Sequence, residues 1–172
     1  MKALVKKEEV ALPMISSCSP GWVKFIEHIY GEDGDRLGTC GCPQQMFGDL
    51  AKTFYAQKKG ISPENIVSVS IMPCTAKKFE ANRPEMHSSG YQDIDAGLTT
   101  RELAVMIKQA GIDFPNLPEE HFDSLMGEST GAADIFGATG GVMEAALRTA
   151  YEVITGREIP FENLNVVPVR GL

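Results

Sequence analysis

Asn65-Ile66-Val67-Ser68-Val69-Ser70-Ile71-Met72-Pro73-Cys74 is the stretch on which the fold turns. It is rich in β-branched residues, which suit a pleated backbone, and Pro73 closes it. The pattern predicts a strand with Val67, Val69 and Ile71 on one face and Cys74 just past its carboxyl end. Helical periodicity lies on both sides. Upstream, Met46, Phe47, Leu50 and Phe54 share a face of a helix predicted from Pro43 to about Lys59, with Gly60 as its stop. Downstream, Asp95-Ala96-Gly97-Leu98 predicts another strand, and Thr99/Thr100 with Glu102 and Leu103 open a helix through Ile107 that Gly111 ends.

Farther out the alternation continues. Residues 12–17 form a short apolar run closing on turn residues, a predicted strand before Cys18. Pro20-Gly21 then opens a helix in which Trp22, Phe25, Ile26 and Ile29 fall at i, i+3, i+4 and i+7. Residues 112–134 hold Pro115, Pro118, Gly127 and Gly131 without strong periodicity and predict a long surface excursion. A helix is expected over 142–151, stopped at Gly156, and a last strand over 164–170. Strands alternating with helices predict an α/β fold, a mostly parallel twisted sheet flanked by helices, in a single domain spanning 1–172. Ligands of such sheets bind beyond the carboxyl ends of the strands, so Cys18 and Cys74 are expected to meet at one sheet edge, the place for a metal or redox centre.

Composition narrows the function classes. With Lys+Arg 16 against Asp+Glu 23 the formal charge is −7, and the basic runs are no longer than Lys6-Lys7 and Lys58-Lys59. Nucleic-acid binding is therefore not expected, because a phosphate surface needs clustered cations. No apolar run nears the ~20 residues of a membrane span, and the first residues lack the apolar centre of a signal peptide, so a cytoplasmic protein is expected. Four cysteines, Cys18, Cys40, Cys42 and Cys74, are too few and irregular for a disulfide scaffold; in a reduced cytosol they are thiols or ligands. Cys40-Gly41-Cys42 places two thiols one residue apart, which can clasp a soft metal or be fortuitous. His28 belongs at a polar helix edge, and His87 and His121 lie in loops without partners. Gly137-Ala138-Thr139-Gly140-Gly141 lacks the Lys-Ser/Thr of a phosphate loop.

Three stretches carry a resemblance: Ser16-Ser17-Cys18-Ser19-Pro20-Gly21-Trp22, Met72-Pro73-Cys74-Thr75-Ala76-Lys77-Lys78-Phe79-Glu80, and residues 135–148, Ile-Phe-Gly-Ala-Thr-Gly-Gly-Val-Met-Glu-Ala-Ala-Leu-Arg. With Pro43-Gln44-Gln45-Met46-Phe47-Gly48, Arg83-Pro84-Glu85-Met86, Thr99-Thr100-Arg101-Glu102-Leu103-Ala104 and Val169-Arg170-Gly171-Leu172, they resemble, over residues 12–172, the catalytic domain of iron-only ([FeFe]) hydrogenases. The variant most resembled is the NAD(P)-linked, ferredoxin-coupled type.

The resemblance implies about one lobe of a two-lobed domain that reversibly reduces protons to H2. It implies a 4Fe-4S cubane held by cysteines, soft anionic donors suited to iron, bridged to a two-iron subcluster. Carried over by position, Cys74 is a cubane ligand, Met72 packs beside the two-iron unit and Lys77 donates to one of its cyanides. Pro43, Gln44 and Phe136 line the same pocket, and Cys42 aligns beside it. Most of the family has adjacent cysteines in the first motif, a proton relay followed by a ligand. Here strict register puts Cys18 on the relay and Ser19 on the ligand, so either Cys18 takes the ligand role with a shifted loop or that cubane corner is weak.

Gly38 falls where a hydroxyl-bearing relay residue usually sits. The family's Cys-x-x-x-Cys motif would lie beyond Leu172, and its upstream pocket segment before Met1. The implied partners are ferredoxin or NAD(P)-linked electron-transfer subunits and a chain supplying the missing cysteines. The competing expectation is a truncated, non-catalytic remnant or iron–sulfur-binding module, because ligand count argues against turnover by this chain alone.

Overall fold

The computed structural model describes residues 11–127 and 131–160, which fall into two compact units divided between Asp123 and Ser124. The first is α/β. Its helix α1 (Pro20–Ile29) starts at Ser19, whose hydroxyl accepts the Trp22 N–H, with Pro20 at the first helical position, where a missing N–H costs nothing. Helix α2 (Pro43–Leu50) likewise opens on a proline. The helix predicted to run unbroken to Lys59 passes instead through a π-helical segment, Ala51–Tyr55, before α3 (Ala56–Lys59), and Gly60 ends it at φ 67°. Strand β1 (Val69–Met72), α4 (Ala76–Ala81) and β2 (Ala96–Thr99) then form a β-α-β unit, and α5 (Thr100–Gln109) follows directly.

β1 and β2 pair in parallel, Val69 opposite Ala96 through Met72 opposite Thr99, and make a two-stranded sheet. The strand expected over 12–17 is not part of it: Ile15 makes a lone parallel bridge to Leu37, where the Ile15 N–H reaches the Arg36 carbonyl and the Gly38 N–H returns to Ile15. The predicted excursion also carries more structure than expected, a 3-10 turn at Phe114–Asn116 and the start of a helix at Gly131.

The alternation of β1 is as predicted, and its β-branched face is turned outward. Val67, Val69 and Ile71 are exposed, at 70%, 51% and 48%, while Ser68 and Ser70 are buried. The reason is close packing of α4. A Cβ on Gly97, the partner of Ser70, would stand 3.3 Å from Lys78 Cγ and 3.5 Å from Ser70 Oγ, so only small side chains fit beneath that helix.

An ion pair between a buried lysine and a partly exposed aspartate ties the helices to the sheet. Lys52 Nζ lies 2.7 Å from Asp95 Oδ2 and 2.6 Å from the Gln92 carbonyl, and Asp95 Oδ2 accepts the Ser68 N–H at 2.7 Å. Nearby, Asp93 is fully buried and accepts from the Ser88 and Ser89 N–H groups and the Ser89 hydroxyl. α5 begins with the predicted capping box: the Thr99 hydroxyl accepts the Glu102 N–H, and the Glu102 carboxylate accepts the Thr99 N–H at 2.8 Å.

In the second unit, α6 (Gly131–Phe136) precedes α7 (Gly141–Thr155), which runs longer than the predicted 142–151 and ends at Gly156. The two helices pack together, and a Cβ on Gly141 would fall 1.7 Å from the Ile135 carbonyl oxygen. The last predicted strand, 164–170, lies outside the described residues. Among those described, no helix is long and apolar enough to cross a membrane.

Gly48→Ala places a Cβ 2.1 Å from the Asp93 carbonyl oxygen and is expected to destabilise the chain by about 1–3 kcal/mol, as overpacking does. Gly34→Ala, with open space around it, is the matched control in denaturant titrations. The Glu102 carboxyl is held at about 2, below its ordinary 4.5, first by the Lys78 ammonium and then by Thr99. Its folded value lies below its unfolded one, so this cap's stabilisation is complete above pH about 4.5 and fades as pH falls through about 2. Carboxyl NMR titration that finds Glu102 at its ordinary value would contradict the pairing.

Candidate functional site

The first turn of α4 gathers the site. Its Lys77 N–H returns to the Cys74 carbonyl at 3.2 Å, so the chain turns tightly just past β1 and Cys74 sits at the strand's carboxyl end, as expected. The Lys77 side chain, 15% exposed, runs inward. Its ammonium donates to the Cys18 carbonyl at 2.7 Å and pairs with Glu80 Oε2 at 3.1 Å. One cation thereby joins the Cys18 loop to the turn after Cys74. Lys78 faces the other way and pairs with Glu102 at 2.6 Å.

Glu80 is the residue that sequence reasoning passed over. Its side chain is 4% exposed, and Oε2 accepts from Lys77, from Cys42 Sγ at 2.9 Å and from Gln44 Nε2 at 3.2 Å. The signal was present in the sequence, since Lys77 and Glu80 stand at i and i+3 on a helix and must be neighbours. Cys42 is fully buried. Burial pushes its thiol above the ordinary range, the hydrogen bond donated to Glu80 adds to this, and Lys77 pulls slightly the other way. A neutral thiol held on a carboxylate is a poor metal ligand in this arrangement.

Gln44 is buried, with Nε2 also reaching the Lys77 carbonyl and Oε1 lacking a partner. Pro43 is exposed at the start of α2, and Met72 ends β1 half-buried. Ser19, in strict register with a cluster ligand, is the N-cap of α1, which gives its oxygen a structural task. Cys18 is half-buried, and the Ser16 hydroxyl donates to its sulfur at 3.3 Å. Cys40 and Cys74 are exposed. Phe136 ends α6 in the second unit.

The expected meeting of Cys18 and Cys74 at one sheet edge is therefore realised differently. Cys18 follows no strand of the sheet, and its main chain reaches the turn after Cys74 through the Lys77 ammonium.

Two cavities border the centre. One, of about 150 Å³, is lined by Glu80, Ser17, Gly38, Thr39, Gly41, Arg83 and Glu85 among others. The second, of about 210 Å³, shares Thr39, Gly41, Glu85 and Met86 with it and adds Cys40, Gln45, Asp49 and Asp93. Arg83 pairs with Glu27 of α1 and with Glu85, which raises its own pKa and lowers that of Glu27; the Glu85 carboxyl is lowered first by a backbone hydrogen bond and then by Arg83.

Residues 1–172 match the family described as "Iron only hydrogenase large subunit, C-terminal domain". The chain belongs to the iron-only hydrogenase family. It is 55% identical over 172 residues to the periplasmic [Fe] hydrogenase large subunit of Nitratidesulfovibrio vulgaris, covering all of this chain and 40% of that one. It is 53% identical to an NADP-reducing hydrogenase subunit of Solidesulfovibrio fructosivorans, covering 99% of this chain and 29% of that one. Among solved structures, an [FeFe]-hydrogenase of Chlamydomonas reinhardtii superposes with a TM-score of 0.76 at 43% identity, covering 99% of this chain and 42% of that one. The chain thus spans well under half the length of the relatives it matches.

Family membership implies an iron–sulfur cofactor. The described residues do not fit a cubane held by this chain alone, because no three His, Cys, Asp or Glu side chains converge among them and the Cys42 thiol is engaged by Glu80.

Lys77→Met strands the Glu80 carboxylate in a buried site and is expected to cost about 3 kcal/mol, the loss typical of breaking a buried ion pair. Lys77→Met/Glu80→Gln should recover much of that loss, read as a coupling energy in a double-mutant cycle. Additive single effects would show that the two side chains do not interact.

Proposed function

We propose that this chain supplies part of the catalytic domain of an iron-only hydrogenase, an enzyme that interconverts protons, electrons and H2. Family membership supports the reaction class, and one geometric fact supports the site: the Lys77 ammonium gathers the Cys18 carbonyl and the turn after Cys74. In this reading Cys74 is a thiolate ligand of a 4Fe-4S cubane, and Cys18 is either a second ligand or the proton relay. The remaining ligands come from cysteines not among the four in this chain. Lys77, Met72, Pro43 and Gln44 are the residues of the first unit assigned to the two-iron subcluster, with Lys77 and Gln44 supplying the hydrogen-bond donors that an anionic group needs.

Its electrons come from ferredoxin or NAD(P)-linked subunits in an anaerobic cytoplasm. The likeness to an NADP-reducing subunit supports the donor, and four free thiols support the reducing compartment.

A second reading, an iron–sulfur-binding module without turnover, is favoured by the Cys42 thiol, which is buried and engaged rather than offered to a metal. Anaerobic reconstitution separates the two. With iron and sulfide alone, the chain is expected to hold less than one cubane per molecule and to evolve no H2, and Cys74→Ser should lower the bound iron by at least about half. Adding a chain that carries the Cys-x-x-x-Cys motif, with the two-iron unit, should bring hydrogen evolution under the hydrogenase reading and iron retention alone under the other. Unchanged iron binding in Cys74→Ser would remove Cys74 from the ligand set.

A further inference from the structure

We propose that Glu80 is a proton-carrying residue, linking the cavity of about 150 Å³ beside it to the buried Cys42 thiol. The proposal deepens the hydrogenase reading, on which it rests only for what the proton serves: a reaction that consumes protons at a buried centre needs groups that bring them there.

Both ends of the link are visible. On the protein side, Cys42 Sγ donates to Glu80 Oε2 at 2.9 Å, and Lys77 Nζ stands 3.1 Å from the same oxygen. On the cavity side, Glu80 Oε1 takes no hydrogen bond from any described residue, and Glu80 lines a space of about 150 Å³. That volume has room for water, each molecule of which occupies roughly 30 Å³ in the liquid, and the Glu80 and Glu85 carboxylates are its charged acceptors in a lining that is otherwise largely apolar.

The neighbouring cavity supports hydration independently. It shares Thr39, Gly41 and Glu85 with the first and is lined by Gln45, which is 4% exposed with both amide atoms unpartnered. A buried amide with neither end satisfied is costly unless water meets it. Water in both spaces connects the Glu85 surface to Glu80.

The transfer is a simple balance. The Cys42 Sγ–H proton moves to Glu80 Oε2, breaking S–H and making O–H, and the thiolate is left beside the Lys77 ammonium. Glu80 then releases a proton to cavity water, and the reverse sequence reprotonates the sulfur. No electron moves. Gly38 lines the same cavity, and a Cβ there meets only Ser17 Oγ at 3.5 Å and the Ile15 carbonyl oxygen at 3.6 Å, so a larger side chain enters this space.

The test is hydrogen–deuterium exchange at Cys42 in the iron-free chain, read from its S–H infrared stretch after rapid mixing with D2O and assigned by loss of the band in Cys42→Ala. Glu80→Gln keeps an acceptor oxygen but cannot carry the proton, and it is expected to slow the exchange at least about tenfold, with amide exchange in α2 and α4 unchanged. Gly38→Val, which fills the cavity and leaves the carboxylate in place, should slow it as well. Wild-type exchange rates in a folded Glu80→Gln overturn the proposal. So do wild-type rates in Gly38→Val should Glu80→Gln fail to fold. Hydrogen evolution is not the readout: a chain that never makes H2 leaves a positive result standing, and unslowed exchange leaves the hydrogenase reading standing.

Discussion

The Lys77 ammonium is the contact on which the site depends. It lies between a carbonyl from the loop before α1 and a carboxylate one turn along its own helix, and it is almost out of water. A cation so placed needs compensating acceptors, because desolvation of an unpaired ammonium costs more than a short helix can offset. Glu80 supplies the charge, and Cys18 supplies a neutral oxygen. The Cys42 thiol and the Gln44 amide then satisfy the rest of the carboxylate. Three segments far apart in sequence meet at this one polar centre, in a unit whose apolar core is small.

Helix α4 distributes charge in three directions within two turns. Lys77 goes inward to Glu80, Lys78 crosses to Glu102 at the start of α5, and Arg83, just past the helix end, reaches Glu27 on α1. Each pair orients a neighbouring element, so α4 acts as a junction for α1, α5 and the Cys18 loop. The inward pair is shielded and sets local geometry strongly. The outward ones are screened by solvent and set direction more than stability.

Much of this could be read in the sequence, and the remainder was hidden for physical reasons. The strand before Pro73, the strand at 95–98 and the helix that follows it come from β-branched alternation, the Pro73 stop and the Thr99/Glu102 cap, which are local signals, whereas the short helix α4 between the strands carries no such signal. Which face of β1 is covered is not local. Val67, Val69 and Ile71 share one face as expected, but it is Ser68, Ser70 and Gly97 that are small enough to let α4 approach. Residues 12–17 have strand composition without a partner strand in register, so only Ile15 pairs. At the site, Cys18, Cys42, Gln44, Cys74 and Lys77 were nominated by resemblance, whereas Glu80 came to notice only once its three donors were in place. Its burial depends on elements from residues 18 to 77, beyond the reach of any periodicity.

The outward apolar face of β1 has a consequence for how this chain behaves as a substance. Val67, Val69 and Ile71 leave oil-like surface in contact with water on a strand that has one sheet neighbour among the described residues. Whatever covers that face contributes its burial energy only when present, so its binding and the stability of this unit are thermodynamically linked. The midpoint of unfolding then depends on how much of the covering surface is in solution, as for an obligate subunit. An isolated preparation has a melting temperature that describes the preparation as much as the molecule.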